Sequence, residues 1–348
     1  MSFASLDSWI DRGALPDSVL RFGIRRLIGG RLRAERRRAA SDPEAGTEAW
    51  IGRLSSGPIS LEPDAANAQH YEVPARFFEL VLGPRMKYSC ALWPPGVDSL
   101  AGAEEAMLAR TAERAGIADG QRVLDLGCGW GSLALWIAER YPGCEVVAVS
   151  NSRSQGEWIR TAAARRGLGN VEHRVADVGR LALDESFDRV VSVEMFEHLR
   201  NYDELLARIA GWLRPDGRLF VHVFCHSGLT YAFEDRGASD WMTRHFFRHG
   251  LMPAAGLLPR FDRDLEVEAS WIVPGAHYQK TSEAWLRNLD RRREEAVALF
   301  EAAHGAGAGR AWVERWRVFF LACAELFGTS GGSEWQVAQY RFAPRSPG

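Results

Sequence analysis

The stretch QRVLDLGCGWGSLALW, residues 121–136, decides the fold. A short apolar run from Val123 to Leu126 leads into Gly127, Gly129 and Gly131, and then into apolar positions at helical spacing. Strand, tight turn and helix in that order open a βαβ unit. Glycines there let the backbone turn sharply and come close to a ligand, and the helix that follows presents unsatisfied N–H groups to it. Outward from this stretch the alternation repeats as EVVAVS then SQGEWIRTAAARRG, VEHRVAD, FDRVVSVE then YDELLARIAGWL, and RLFVHVF. The pattern predicts an α/β fold, a parallel sheet with helices on both faces, whose functional groups gather at the carboxyl ends of the strands.

Composition is that of an ordinary globular chain of 348 residues, 46% hydrophobic and 25% charged, so core size sets no limit. A net charge of -2 gives no reason to expect a nucleic-acid partner. The five cysteines are odd in number, widely spaced and free of any C-x-x-C pair, which argues against a disulfide framework and a zinc site; no metal is expected. A cytoplasmic location fits, because neither a signal peptide nor a membrane span is visible. Residues 1–70 read as a helical N-terminal extension. Its arginine-rich stretch LRFGIRRLIGGRLRAERRR, interrupted at Gly29 and Gly30 and ended by SDPEAG, suits either peripheral contact with anionic lipid or a solvated face on a docked helix. Within a main domain over 71–348, the segment at about 226–330 reads as an inserted cover. It begins with the aromatic-rich YAFEDRGASDWMTRHFFRHG, and LEVEASWIV and EWQVAQYRF, separated by long helices around Trp285 and Trp316, are expected to close the sheet as a hairpin-like pair. A homodimer is a further expectation.

The glycine turn selects the ligand. A dinucleotide site asks for G-x-G-x-x-G/A, but Ser132 holds the third place and no acidic residue ends the strand at VAVSNS, so hydride transfer is disfavoured. Asp125, just before G-x-G-x-G, suits a ligand whose ammonium and sulfonium need a carboxylate nearby, namely S-adenosylmethionine. Asp177, ending RVAD, then accepts from the adenine amino group with Val178 beside it, or else caps a helix. The second chemical cluster is VVSVEMFEHLRNY, residues 190–202, where a strand ends in Glu194, Glu197 and His198, three groups able to hold or move a proton.

YEVPARFFELVLGPRMKYSCALW, VLDLGCGWGSLALWIA, SVEMFEHLRNY and FVHVFCH together resemble the cyclopropane fatty acid synthase superfamily of S-adenosylmethionine-dependent methyltransferases. HYQKTSEAWLRNLD and AELFGTSGGSEWQVAQYRF are similar to its branch of plant alkaloid N-methyltransferases of the coclaurine type. The resemblance runs from about Tyr71 to the C-terminus. It implies a class I, Rossmann-like, mostly parallel seven-stranded sheet. It also implies that Tyr88 and Ser89 close over the cofactor, that Gly127, Gly129 and Gly131 underlie it, that the Ser150 hydroxyl reaches the ribose, that Asn151 binds the cofactor too, and that Gln155 helps hold it.

Two chemistries then compete for the acidic cluster. In N-methylation of a small, alkaloid-like amine, Glu197 and His198 take the proton and Glu194 holds the substrate ammonium. In cyclopropanation of a lipid acyl chain, a bicarbonate held by a cysteine, a glutamate, a histidine and a tyrosine takes the proton; Cys90, Glu197, His222 and Tyr278 match those places. Lipid synthases typically read GMFEH and the alkaloid enzymes EMFEH, so Glu194 favours the amine. The plainer readings are that Glu194 pairs with an arginine, that His198 bonds backbone at a helix start, and that Cys90 and Cys225 simply pack. The aromatic cover, Tyr231, Phe233, Trp241, Phe246 and Phe247, either stacks on a flat cationic ring or forms ordinary core. His245 and His249 read as surface or capping residues.

Overall fold

The computed structural model describes residues 3–60, 73–234, 241–247 and 250–345. The expected domain boundary at 70/71 and His249 lie outside them. An N-terminal set of helices, α1 (Phe3–Asp11), α2 (Asp17–Ser41) and α3 (Thr47–Arg53), comes first, followed by α4 (Ala75–Val81) and α5 (Leu100–Ala115). The alternating region follows as β1 (Arg122–Leu126), α6 (Ser132–Arg140), β2 (Glu145–Ser150), α7 (Arg153–Arg166), β3 (Val171–Val175), β4 (Phe187–Val193), α8 (Tyr202–Trp212) and β5 (Leu213–His226). Next come β6 (Tyr231–Ala232), α9 (Trp241–His245), β7 (Leu251–Met252), β8 (Leu265–Val273), α10 (Gly275–Arg291), α11 (Arg293–His304), α12 (Gly309–Phe327) and β9 (Trp335–Pro344).

The seven-stranded sheet has the order β3-β2-β1-β4-β5-β9-β8. Its first five strands are parallel, and β9 runs antiparallel between β5 and β8. The two late strands therefore do pair, but α10, α11 and α12 connect them instead of a turn. Apolar residues cover both faces of the sheet. Leu108, Ala112, Leu135, Ile137 and Ile159 from α5, α6 and α7 pack on one side, and Leu205, Leu206 and Ile209 of α8 on the other. Parallel strands buried on two faces explain the near-continuous apolar runs of β1 and β2. Strand order reverses between β1 and β4, and the crevice at their carboxyl ends is where such sheets bind ligands.

The N-terminal helices are fastened to this body. Trp50 of α3, an element the sequence pattern did not separate from the linker, and Leu54 just after it join the core beneath α8. Helix α2 runs through Gly29 and Gly30 without a break, which corrects the expected interruption. The helix is long enough to carry two weak residues because its neighbours hold it. Arg21 pairs with Glu283 and Glu325 at 2.6 and 2.8 Å, Arg25 with Glu325 at 3.1 Å and Arg36 with Glu334 at 2.7 Å. Arg31 donates to the Ala232 carbonyl at 3.0 Å and lies over the Tyr231 ring. Much of the basic stripe thus faces its own chain. Among the described residues no helix is long and apolar enough to cross a membrane.

Candidate active site

The crevice between β1 and β4 contains a cavity walled by the glycine turn, the β4 end and residues 86–89. Its empty volume is about 630 Å³, counting the part open to solvent. Gly127, Gly129 and Gly131 have φ of 81°, 53° and 73°, a region that most side chains avoid. Their surroundings separate their roles. A Cβ on Gly127 would lie 2.6 Å from the Met195 sulfur and one on Gly131 2.7 Å from Ile159, so these two positions serve close packing. At Gly129 a Cβ would meet no protein atom within 4 Å. That glycine keeps the cavity floor clear.

Tyr88, Ser89, Asp125, Gln155 and Glu194 line the same cavity. Gln155 is 1% exposed, yet its Nε2 has no protein partner, and neither do Trp130 Nε1 and Ser132 Oγ, which also line the space. Three buried donors without acceptors fit a ligand rich in acceptors, as the carboxylate and ribose oxygens of S-adenosylmethionine are. Asp125 Oδ2 accepts from the Ala134 N–H at 3.1 Å, capping the start of α6, and burial pushes its carboxyl up to about 7. A cationic ligand beside it favours the ionised form. Lys87, which sequence reasoning missed, is buried in the cavity wall and donates to Ser89 Oγ. Burial lowers its pKa while Glu194, Cys90, Glu104 and Asp125 oppose that shift.

The remaining expected cofactor residues stand at strand ends outside this lining. Ser150 Oγ bonds His173 Nε2 at 3.0 Å, and Asn151 follows directly after β2. Asp177 Oδ1 accepts from the Gly179 N–H at 2.9 Å and the Ser60 hydroxyl at 2.8 Å. It thereby caps the single turn Val178–Arg180, with Val178 buried. The capping role is therefore present, and it occupies one carboxylate oxygen.

The acidic corner adjoins the glycine turn, since Met195 packs on Gly127. Glu194 leaves β4 with φ 51°, an uncommon conformation for a residue with a side chain. Its N–H donates to the His222 carbonyl at 2.7 Å. Oε1 accepts from the Cys90 backbone N–H at 2.9 Å and lies 3.2 Å from His222 Nε2, and Oε2 accepts from the Tyr278 hydroxyl at 2.6 Å. Burial works to raise the Glu194 pKa, but His222, Lys87 and Tyr278 outweigh it and hold the carboxyl below its usual range. Among the described residues no arginine pairs with it. Cys90, His222 and Tyr278 do converge as the sequence suggested, but on Glu194 and not on Glu197. Cys90 contributes its backbone; the buried thiol points to the Ala91 carbonyl, and burial raises its pKa.

Glu197 is fully buried on the turn Phe196–His198. Its Oε1 accepts from the Phe224 N–H at 2.7 Å, while Oε2 has no protein partner. Burial and the charge on Glu194 push its pKa well up. His198 donates its backbone N–H to Met195, and burial with the Arg200 charge pushes its imidazole down to about 4. One carboxylate is thus held ionised, its neighbour favours the proton, and the imidazole is a neutral acceptor. Environments that separate pKa values in this way mark groups with distinct proton tasks.

The aromatic cover divides in two. Phe247 packs edge-on against His198 at 4.8 Å and on Phe233 at 4.7 Å, and Phe224 lies 5.6 Å away, so these rings wall the corner. Tyr231 instead accepts from Trp335 Nε1 at 2.8 Å, and Trp241 packs on Phe246, which stacks on Phe319 of α12. These three belong to the core. His245 lies against Trp241 at 4.9 Å.

A family model described as mycolic acid cyclopropane synthetase matches residues 60–337. The (S)-coclaurine N-methyltransferase of Thalictrum flavum subsp. glaucum is 35% identical over 337 residues, covering 96% of this chain and 93% of that protein. The cyclopropane-fatty-acyl-phospholipid synthase of Escherichia coli (strain K12) is 32% identical over 275 residues, covering 77% of this chain and 66% of its own length. A crystal structure of coclaurine N-methyltransferase bound to N-methylheliamine and SAH matches with a TM-score of 0.92 at 34% identity, covering 98% of this chain and 99% of that one.

Proposed function

The chain belongs to the mycolic acid cyclopropane synthetase family of S-adenosylmethionine-dependent methyltransferases, and from that premise we propose that it methylates the nitrogen of a small, aromatic amine. The observation that carries this reading is the position of the Glu194 carboxylate. Cys90, His222 and Tyr278 are the groups that the lipid-modifying branch is expected to turn toward a bicarbonate, and here all three bond Glu194. A permanent anion at that point has no evident task beside an alkene. Beside an ammonium it is a counter-ion, strengthened by the low local dielectric.

Gly129 would leave room for S-adenosylmethionine, Gln155, Trp130 and Ser132 would donate to it, and it would supply an electrophilic methyl group. Glu194 draws in the amine and orients it. Glu197 offers the unpartnered Oε2 as proton acceptor; the approach of a cation favours its ionised form, and neutral His198 stands next in line to take the proton. Removing that proton frees the nitrogen lone pair for in-line attack, and alignment then supplies much of the rate. Phe224, Phe233 and Phe247 give the aromatic body of the acceptor a surface and exclude water. This reading requires neither a membrane surface nor a second copy of the chain.

The test is to incubate the protein with isotopically labelled S-adenosylmethionine and either a panel of aromatic amines or unsaturated phospholipid vesicles, with and without bicarbonate. Label entering an amine, indifferent to bicarbonate, is the expected result. Label entering acyl chains alone would reject the reading.

A further inference from the structure

Gln339 on β9 stands opposite His222 on β5 in the antiparallel register and is fully buried. Its two amide ends face different neighbours. The oxygen lies within hydrogen-bond reach of an Arg114 guanidinium nitrogen, from the last turn of α5, and Nε2 lies 2.9 Å from His222 Nδ1. A guanidinium donates and never accepts, so the amide must turn its oxygen toward Arg114. Its NH2 therefore faces His222, and since that group only donates here, Nδ1 must present a lone pair. The second amide hydrogen meets only the weak acceptor Met107 Sδ, at 3.5 Å. The proton of the neutral ring consequently sits on Nε2, 3.2 Å from Glu194 Oε1.

We infer that Arg114 and Gln339 are positioning residues that fix the tautomer of His222, so that every polar contact of Glu194 is a donor and the carboxylate stays an anion. The chain of donation runs one way, from Arg114 through Gln339 and His222 to Glu194. With the opposite tautomer a bare Nε2 would confront Oε1, and Glu194 would take up a proton to relieve the conflict. It would then no longer attract an ammonium. The charged groups facing His222 are Glu194 at the end of β4, Lys87 in the segment before α5, and Arg114 on α5. Burial is the strongest influence on the ring and keeps it neutral, and a protonated ring would set an N–H against the Gln339 amide. Arg114 is itself fixed, with its guanidinium over the Trp271 ring at 4.9 Å. The assignment rests on Glu194 acting as the counter-ion of an amine.

The test combines nitrogen NMR of histidine-labelled protein with kinetics. In the unaltered protein, long-range proton–nitrogen correlation should show His222 neutral and protonated at Nε2; protonation at Nδ1 overturns the inference without any variant being made. Gln339→Glu replaces the donor by an acceptor and should put a proton on Nδ1. The expected result is a fall in kcat for the amine of about 10- to 100-fold, with SAH affinity by calorimetry changed less than about threefold. An unchanged tautomer with unchanged kcat sinks the inference. Gln339→Met, similar in volume, should lower kcat less and give mixed tautomers, and a single Nε2–H form in that variant would also count against it. If the unaltered protein methylates no amine, the functional reading fails while the NMR result still decides the tautomer.

Discussion

The floor of the donor side is backbone between Asp125 and Gly131, whereas the acid corner draws Cys90, Glu194, His222 and Tyr278 from four separated segments. On that side three positive-φ glycines and a helix start shape the turn, and side chains add edge donors. In the corner nearly everything depends on groups brought together from separate elements, Glu194 and His222 by sheet register, Tyr278 by α10 and the Cys90 N–H by the segment before α5. A seat built locally tolerates change elsewhere and fails at a single residue. A corner built from distant parts should fail in graded steps, with catalysis lost before binding.

The sharpest challenge to this contrast is Gly129→Val. The surrounding protein leaves the Cβ free, so the fold should survive with a strain of about 1 to 2 kcal/mol from φ 53°. The side chain would occupy the ligand's place. We expect SAH affinity by calorimetry to drop by about 1000-fold, equivalent to about 4 kcal/mol; a loss below tenfold would show that the floor is not where the cofactor lies. Glu194→Gln probes the other side. It keeps the shape but gives His222 and Tyr278 an uncharged partner, and kcat/KM for the amine should fall by about 100- to 1000-fold with SAH affinity nearly unchanged. Equal losses in binding and turnover for Glu194→Gln would erase the distinction between the two sides.

The same contrast explains what the sequence alone discloses. Strand, glycine turn and helix are neighbours in the chain, so the doubly covered sheet and the turn that lines the cavity can be read directly from residues 121–136. Glu194, Glu197 and His198 are equally visible as a cluster, but their separate electrostatic states are not, because these come from His222, Tyr278 and the depth of burial. Assigning Glu197 to the Cys90, His222 and Tyr278 set follows motif position; the left-handed turn at Glu194 is what brings the earlier carboxylate there instead. Lys87 sits unnoticed in KYSC because nothing local announces that its ammonium is buried. Gln339 looks like any polar residue of an edge strand until β5 pairs beside it. Helix α2 passes through two glycines because ion pairs with α10 and α12 hold it, an effect outside any local window.

A smaller effect, with a worked sign, comes from Glu197→Gln. Burial raises the Glu197 pKa, so above about pH 4.5, the ordinary value, the folded chain holds a proton that the unfolded chain has released. Stability from this group therefore declines as pH rises from 4.5 toward the folded pKa. The glutamine variant does not titrate. Its stability relative to the parent, measured by urea unfolding at pH 5 and pH 8, should increase with pH while kcat falls by about 100-fold or more. A difference that stays flat or shrinks with pH would mean that Glu197 is ionised in the resting corner and that the two carboxylates are not held in opposite states.

The smallest expected effect lies just beyond β3, where Asp177 serves the fold with one oxygen. Removing the cap in Asp177→Ala leaves the Gly179 N–H and the Ser60 hydroxyl without their acceptor and should cost about 1 kcal/mol in stability. Oδ2 makes no hydrogen bond in the cap, its nearest basic group being Arg180 at 4.0 Å. If that oxygen accepts from the adenine amino group, the unaltered protein should bind SAH more tightly than its inosine counterpart, which lacks that donor. The variant should lose the preference, by about tenfold, together with its 1.4 kcal/mol equivalent. Equal discrimination in both proteins would reduce Asp177 to a cap. The donor seat would then be backbone along its whole length, and the contrast with the acid corner would be stronger still.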